Sequence, residues 1–226
     1  MKIPFKHGNP AYQEEMFVLF SRMPRITAAR RAARRMEILN AAWTCFDRKG
    51  LHATTMEDII RASGLSAGAV YTYFASKEEL IEAAVTESLS ELRTVLDGVW
   101  DRDPPPEPPE LVRETTRLIA GHAQREGFSL VRIAVHGWSE SQRNERLRET
   151  VAGFYRVFRG RLARLADDWR TAGVIQADAD TNAVSQALLS LLLGFVVQSA
   201  ILGDASPSAH ETGLSSLRQP AGADKP

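Results

Sequence analysis

The sequence feature that most constrains this chain is the stretch 54–80, TTMEDIIRASGLSAGAVYTYFASKEEL. It predicts two short helices separated by a tight turn, followed by the start of a third helix. Gly64 stands where the first helix must stop, because a residue without a Cβ adopts the left-handed conformation at no steric cost. Ser66 is suited to cap the second helix, while Val70 and Phe74 lie four residues apart and face inward. The pattern predicts a helix-turn-helix, which places its second helix in the major groove of DNA.

Side-chain caps define where these predicted helices begin. Either Thr54 or Thr55 caps the first helix, with Glu57 or Asp58 as its reciprocal partner. A second capping box, S-x-x-E, begins at Ser76. Capped helix pairs also occur in ordinary helical domains, so caps alone do not indicate DNA binding. What favours it is that caps, turn glycine, inward apolar residues and outward polar residues coincide within 27 residues.

The same stretch resembles a known family. SGLSAGAVYTYFASKEEL, preceded by FDRKG and TTMEDII, is similar to the N-terminal domain of the TetR family of bacterial one-component transcriptional regulators. The similarity covers about residues 27–82, and the C-terminal two-thirds matches only in its pattern of amphipathic helices. The resemblance implies that phosphate contacts come from Thr55, Tyr71, Tyr73 and Lys77. It implies that base contacts come from Ser66, Ala67, Gly68 and Thr72.

The outer face of the second helix lacks long hydrogen-bonding side chains. Ala67, Gly68 and Ala69 offer none, so direct base readout rests on Thr72, on methyl contacts to thymine and on DNA shape. Tyr71 is suited to donate to a phosphate or to stack on a sugar. The operator sequence therefore does not follow from these residues.

Charge is unevenly distributed along a chain whose formal net charge is zero. Residues 23–80 carry nine Lys and Arg against six Asp and Glu, whereas residues 81–226 carry sixteen against twenty. A mildly basic N-terminal part on an acidic body agrees with DNA contact at one end. Four arginines within 30–35 form a basic arm, which either is a solvated helix face or contacts phosphates or the minor groove.

Other residue types exclude several classes of protein. The single cysteine, Cys45, rules out an internal disulfide framework and a thiolate zinc cluster. The five histidines are scattered, and the sequence has no glycine-rich phosphate loop, zinc-protease motif or serine-hydrolase motif. We therefore expect no enzyme activity, no metal and no cofactor. No stretch has 18 uninterrupted apolar residues, so we expect a soluble cytoplasmic protein without a membrane segment.

Four segments are predicted along the chain. Residues 1–23 are a disordered or mis-assigned N-terminal extension, because the basic arm opens at Met23, and we hypothesise that translation starts there. Residues 24–80 form the helix-turn-helix domain, and residues 81–203 form a helical effector-binding and dimerisation domain, called the body. Residues 204–226, rich in Ser, Ala, Gly and Pro, form a disordered tail.

The whole protein is predicted to be all-α, because no run of useful length alternates with period two. The helix that starts after Ser76 continues to about Trp100 and ends before a proline-rich connector that no helix crosses. The later helices are predicted at 109–126, 129–138, 143–173 and 178–203.

The last predicted helix is apolar almost all round, which is too hydrophobic to leave exposed on a monomer. In the resembled family such helices pair across a two-fold axis, and a dimer presents its recognition helices to half-sites about 34 Å apart. The alternative is that this helix is simply the core helix of the body. The predicted homodimer interface residues are Phe154, Phe158, Leu162, Ala187, Leu191, Gly194, Phe195 and Gln198.

The resemblance also implies that an unidentified small-molecule effector enters the body and releases the DNA. Such an effector must favour the state whose DNA-binding helices are wrongly spaced. Aromatic side chains with a few polar groups are the candidates for its pocket. They are Phe128, Arg132, His136, Trp138, Tyr155 and Phe158. Each of them is alternatively a core or surface residue.

The predicted function is a sequence-specific transcriptional regulator that binds a palindromic double-stranded DNA operator, with repression as the common mode of the resembled family. One alternative is a DNA-binding protein without sequence preference. Another is a small-molecule-binding helical dimer that no longer reads a sequence. A nonspecific binder shows uniform affinity and a steep salt dependence, whereas a regulator binds one palindromic site far above background.

Overall fold

The computed structural model of the protein describes residues 27–217, which are almost entirely helical. Its elements are α1 (Ala28–Ala53), α2 (Met56–Ser63), α3 (Ala67–Tyr73), α4 (Lys77–Trp100), α5 (Pro108–Ala123), β1 (Gln124–Arg125), β2 (Phe128–Ser129), α6 (Leu130–Ser141), α7 (Glu145–Thr171), α8 (Thr181–Ile201) and α9 (Pro207–Leu217). The predicted all-α fold is confirmed. The predicted extension at 1–23 and the start-site hypothesis lie outside the described residues.

The described residues fall into two compact units, 27–37 and 38–217. The first unit contains the beginning of α1, where Arg34 pairs with Glu37 at 2.6 Å on the helix surface. DNA contact by the basic arm stays a prediction. All interactions described below lie within the second unit.

The end of α1 is shaped by Gly50, whose φ of 77° lies in the left-handed region. A residue with a Cβ would be strained there. Thr54 is completely buried beneath this bend, and its Oγ1 lies 2.8 Å from the Gly50 carbonyl oxygen and 3.2 Å from that of Cys45. The hydroxyl therefore satisfies carbonyl groups that a helix end leaves without an intrahelical donor.

The core of the body is built from α4, α5, α7 and α8. The ring of Trp100 packs on Phe158 with 4.2 Å between centroids, and its Nε1 donates to Thr115 Oγ1 at 2.8 Å. Trp169 Nε1 donates to the Pro106 carbonyl oxygen at 2.9 Å. Because each buried indole N–H has a partner, these large rings sit in the core without an unsatisfied donor.

A short hairpin, β1–β2, precedes α6. Its strands pair antiparallel, with Gln124 opposite Ser129 and Arg125 opposite Phe128, and Gly127 turns at a φ of 88°. Strands of two residues are too short to give a period-two pattern, which is why the sequence does not predict them.

The predicted disorder of 204–226 is wrong for its first part, where α9 forms. Glu211 Oε2 on α9 pairs with Arg113 Nε on α5 at 3.0 Å, and Leu214 packs against the body core. A segment of mostly small and polar residues is ordered here because a few side chains find partners on the body. Residues 218–226 lie outside the described part of the chain.

Three predicted interface residues are buried inside their own protomer, so the interface prediction is wrong for them. They are Phe158, Leu162 and Phe195. Phe158 and Leu162 belong to the core shared by α4, α5, α7 and α8, whereas Phe195 packs with Ile119 and Val131. Helical spacing does not reveal which side of an all-apolar helix turns inward. The other predicted interface residues, which are half-buried or exposed, are Phe154, Ala187, Leu191, Gly194 and Gln198.

Helix α8 is apolar around most of its circumference. Among the described helices it is the one that is long and apolar enough to cross a membrane by length and composition, with a mean hydropathy of 1.8. It packs against α5, α6 and α7, and the core helix of a soluble protein satisfies the same criterion. Only 22% of its apolar segment is buried inside the protomer. Apolar side chains of α8 are therefore left exposed.

Leu162→Ala is expected to lower the free energy of unfolding by about 3 kcal/mol, because it removes a completely buried side chain and leaves a cavity. Val95→Ala on α4 is the control: this side chain is exposed, and its loss is expected to cost about 1 kcal/mol or less. Urea denaturation followed by circular dichroism, at one protein concentration, measures both. Equal small losses for the two variants would contradict the placement of Leu162 in the protomer core.

Candidate nucleic-acid interface

The first helix of the motif, α2, begins with a complete capping box. Asp58 N–H donates to Thr55 Oγ1 at 3.1 Å, and Thr55 N–H donates to Asp58 Oδ2 at 3.0 Å. Lys49 Nζ donates to the other carboxylate oxygen of Asp58 at 2.6 Å. The hydrogen bond from Lys49, followed by those from Thr55, lowers the pKa of Asp58 from 3.8 to about 2. Of the capping alternatives, the structure selects Thr55 with Asp58.

The turn and the second helix follow the predicted pattern. Gly64 ends α2 in the left-handed conformation at a φ of 67°. Ser66 Oγ accepts from Ala69 N–H at 3.3 Å and caps α3, while Val70 and Phe74 are buried. These inward side chains fix α3 against the rest of the domain, and its opposite face is left to solvent.

The outward face of α3 carries most of the predicted DNA contacts. Its exposed residues are Ser66, Ala67, Gly68, Tyr71 and Thr72. Tyr71 is 48% exposed, and apart from the adjoining residues and backbone of α3, no heavy atom lies within 4 Å of where a Cβ of Gly68 would stand. Thr72 Oγ1 donates to the Gly68 carbonyl oxygen at 2.8 Å, so its lone pairs remain to accept from a base amino group. This face is therefore small and open, and its side-chain polar groups are the hydroxyls of Ser66, Tyr71 and Thr72.

Lys77 and Tyr73 are less exposed than the rest of the predicted contacts. Lys77 Nζ donates to the His52 carbonyl oxygen at 2.6 Å, so the side chain ties the start of α4 to the end of α1. A cation is unfavourable in the first turn of its own helix but favourable beside the carbonyl end of another. Because an ammonium has three donors, this bond leaves two for a phosphate. Phosphate contact by Lys77 stays a prediction.

A cavity lies within the body, between α4, α6 and α7. The cavity has a volume of about 60 Å³ and is partly open to solvent. None of its lining residues is charged, and Ser88 and Tyr155 supply the side-chain hydroxyl groups. The lining residues are Val85, Ser88, Leu89, Leu130, Ile133, Ala134, Gly137, Trp138, Val151 and Tyr155.

Two of the predicted pocket residues meet in this cavity. Trp138 Nε1 donates to the hydroxyl oxygen of Tyr155 at 2.9 Å. Burial raises the pKa of Tyr155 to about 12, although the hydrogen bond from Trp138 opposes the shift. The phenol is therefore neutral near pH 7, and an oxygen that accepts from Trp138 keeps its own O–H to donate.

The other predicted pocket residues do not line this cavity, and effector contact by them stays a prediction. They are Phe128, Arg132, His136 and Phe158. The first three contact α1, and Phe158 is buried in the body core. The prediction groups Arg132 and His136 with Trp138 by residue type, aromatic or polar, but α6 presents different faces to different neighbours.

Two family models match the chain, one over the helix-turn-helix and one over the body. Residues 38–84 match the model of bacterial regulatory proteins of the tetR family, and residues 110–215 match that of the C-terminal part of BetI-type transcriptional repressors. The chain belongs to the TetR family. The resemblance inferred from its motif is confirmed, and the protein is a helix-turn-helix transcriptional regulator.

Individual relatives agree with this assignment. The chain is 29% identical over 187 residues to the uncharacterised HTH-type transcriptional regulator YfiR of Bacillus subtilis, covering 80% of this chain and 86% of YfiR. It is 27% identical over 164 residues to the HTH-type regulator UidR of Escherichia coli K12, covering 71% and 78%. The solved structure of Salmonella enterica GusR is similar with a TM-score of 0.66 and 27% identity, covering 85% of this chain and 97% of GusR. These named relatives are regulators rather than enzymes.

Asp58→Asn is expected to lower the melting temperature by about 2–4 °C at pH 7, the size of shift that follows from weakening a helix cap in a domain of this length. Because the pKa of Asp58 is lower in the folded chain (about 2) than its ordinary 3.8, the ionised carboxylate stabilises the fold above that range. The stabilisation is lost as pH falls from 3.8 toward 2. Melting curves measured in steps from pH 7 downward should therefore converge.

Glu57→Gln is the matched control, because Glu57 lies next in sequence and pairs only at the surface with Arg61. Its melting temperature should stay close to that of the parent throughout. A gap between Asp58→Asn and the parent that stays constant below pH 3 would contradict the role of the ionised carboxylate.

Proposed function

We propose that this TetR-family regulator is a cytoplasmic repressor that binds a palindromic operator as a homodimer and is released by a small uncharged effector. The observation that carries the DNA-binding part is the outward face of α3, where five predicted contact residues are exposed while Val70 and Phe74 anchor the opposite face. The family model of bacterial regulatory proteins matches residues 38–84, which include this surface, and this match supports DNA binding by α3.

The chemistry of α3 supports a particular mode of DNA recognition. Ala67 and Gly68 in the first turn let the backbone approach the floor of the groove closely. Thr72 offers an acceptor, and Tyr71 offers a phenol suited to a phosphate. With so few base-reading groups, much of the sequence preference rests on DNA shape and deformability.

Exposed apolar side chains on two adjacent helices support the homodimer. Val157 on α7 is 59% exposed, and Val197 and Ile201 on α8 are 37% and 69% exposed. Helices α7 and α8 pack against each other, and apolar surface of this kind marks an interaction site. Apart from the adjoining residues and backbone of α8, no heavy atom lies within 4 Å of where a Cβ of Gly194 would stand, so a second helix can approach there. A two-fold dimer then uses the same surface on both protomers.

Selection of bound sequences from random double-stranded DNA tests the DNA-binding proposal. The expected result is a palindrome whose half-sites are separated by about one helical turn, roughly 34 Å. Tyr71→Ala should weaken binding to all sequences, and Lys77→Ala should do the same and lower the salt slope by about one. Thr72→Ala should relax the preference at one base position.

Arg148→Ala is the control for these variants. It removes one positive charge, as Lys77→Ala does, but Arg148 lies on α7, outside the helix-turn-helix, and pairs there with Glu145. It should leave operator affinity unchanged. If the selection recovers no preferred sequence, the result would favour a nonspecific DNA-binding protein. If Thr72→Ala keeps the sequence preference of the parent, the result would contradict the role assigned to Thr72.

The cavity between α4, α6 and α7 supports an effector that is apolar and uncharged. A charged ligand would have to leave water for a lining without any counter-charge, which is costly. The hydroxyl of Tyr155, held by Trp138, is suited to donate to one acceptor on such a ligand. An uncharged aromatic molecule with one hydrogen-bond acceptor meets both conditions.

A thermal-shift screen checks this proposal with uncharged aromatic compounds that carry an acceptor oxygen, such as phenol and acetophenone, against carboxylates of similar size, benzoate and phenylacetate. A ligand at 100 times its dissociation constant stabilises the fold by about 2.7 kcal/mol and raises the melting temperature. We expect shifts only from uncharged compounds and expect Ala134→Phe, which fills the cavity, to abolish them. Shifts from the carboxylates alone, or shifts that survive Ala134→Phe, would contradict the assigned cavity.

A further inference from the structure

Helix α6 contacts two parts of the molecule with two different faces. Its cavity-lining residues are Leu130, Ile133, Ala134, Gly137 and Trp138. Arg132 and His136, which lie one turn apart, contact the end of α1 instead. At 100° per residue, the centres of these two sets lie about 150° apart around the helix axis. One short helix is therefore both a wall of the cavity and a support for α1.

The contact to α1 includes a bidentate ion pair. Arg132 Nε donates to Asp47 Oδ1 at 2.7 Å, and Arg132 Nη2 donates to Oδ2 at 2.5 Å. The side chain of Asp47 is only 5% exposed, whereas that of Arg132 is 55% exposed. A buried carboxylate depends on its partner, and the two parallel bonds fix the orientation of the guanidinium relative to α1.

Helix α6 makes a second contact at the bend of α1. The ring of His136 lies over Gly50, so that a Cβ on Gly50 would stand 3.5 Å from both Cε1 and Nδ1 of the imidazole. Trp43 extends the contact, because its ring lies 5.6 Å from that of Phe128, and its Nε1 donates to the Ala84 carbonyl oxygen of α4 at 3.3 Å. The last turns of α1 therefore rest on both α4 and α6, which are walls of the cavity.

We propose that Arg132 and His136 are positioning residues that couple occupancy of the cavity to the orientation of the helix-turn-helix, through Asp47 and Gly50 on α1. The inference rests on the proposed function, since it gives the effector a route to the DNA-binding helices. Lys49, which bonds to Asp58 on α2, and Lys77, which bonds to the His52 carbonyl oxygen, join α1 to α2 and α4, so a displacement of α1 reaches the motif.

The physical basis is that α6 responds as a unit. A packed helix of 12 residues, about 18 Å long, cannot move its cavity face without moving the opposite face. An effector shifts the operator affinity only if its contacts differ between the two orientations of α1. The ion pair supplies that difference, because its two bonds hold only while α6 keeps its present rotation relative to Asp47.

Ala134→Phe tests the coupling without any effector, because its ring occupies the cavity permanently. The affinity for the selected operator is measured by fluorescence anisotropy in four chains: the parent, Ala134→Phe, Arg132→Ala and the double variant. In the parent background, Ala134→Phe is expected to weaken operator binding by roughly ten-fold. In the Arg132→Ala background, the same change is expected to weaken binding by less than about two-fold.

Arg125→Ala is the matched control background. Arg125 also carries an exposed guanidinium, lies seven positions before Arg132 and pairs with a carboxylate of a neighbouring helix, Glu91 on α4, but not with α1. There the ten-fold effect of Ala134→Phe should persist. A ten-fold effect that persists with Arg132→Ala as well would show that the ion pair only stabilises α1, and would overturn the proposal. An Ala134→Phe chain that binds operator like the parent would overturn it too.

Two further measurements keep the test decisive. If Arg132→Ala does not fold by circular dichroism, Arg132→Lys replaces it, because lysine keeps the charge without the two-pronged geometry and should reduce the coupling. The second measurement is the hydrogen-exchange rate of the α2 and α3 amides, which needs no DNA. Ala134→Phe should raise this rate in the parent background but leave it unchanged in the Arg132→Ala background. A selection without any preferred operator would then reject the proposed function, whereas unchanged exchange would reject the coupling.

Discussion

The backbone turn at Gly50 is the constraint on which the rest of this structure depends. Helix α1 must end there for the motif to begin, and only a glycine enters the left-handed region without strain. Three side chains close the turn: Thr54 bonds to the Gly50 carbonyl, Lys77 bonds to the His52 carbonyl, and His136 covers it. The same few residues thus set both where α2 starts and where the body touches α1.

What the sequence predicts well is local. The caps at Thr55, Ser66 and Ser76 and the turn at Gly64 depend on residues within four positions of each other, so their signals are complete in the sequence. Glu79 shows the limit of such rules, because its carboxylate accepts from Ala75 N–H, one residue before the cap. The helix boundaries in the body were predictable within a few residues for the same local reason.

What the sequence does not predict depends on contacts between distant residues. Asp47 and Arg132 are 85 positions apart, and nothing in either neighbourhood indicates that they pair. Leu162 lies on the apolar stripe of α7, and Phe195 lies on α8, which is apolar almost all round. Only packing shows that both face the protomer core. Helix α9 lacks an apolar stripe, so its order follows from partners such as Arg113 rather than from its own pattern.

The division of α6 into two faces also bears on how selective an effector site of this kind is. If Arg132 lined the cavity, charge would discriminate among ligands; with Arg132 held by Asp47, discrimination rests on shape and on the Tyr155 hydroxyl. Apolar contact separates ligands that differ by one methylene by only about 10- to 200-fold, whereas a buried hydroxyl left unpaired separates them far more strongly. The tyrosine–tryptophan pair is therefore the part of the cavity best able to distinguish one uncharged molecule from another, while the guanidinium on the opposite face is left to hold α1.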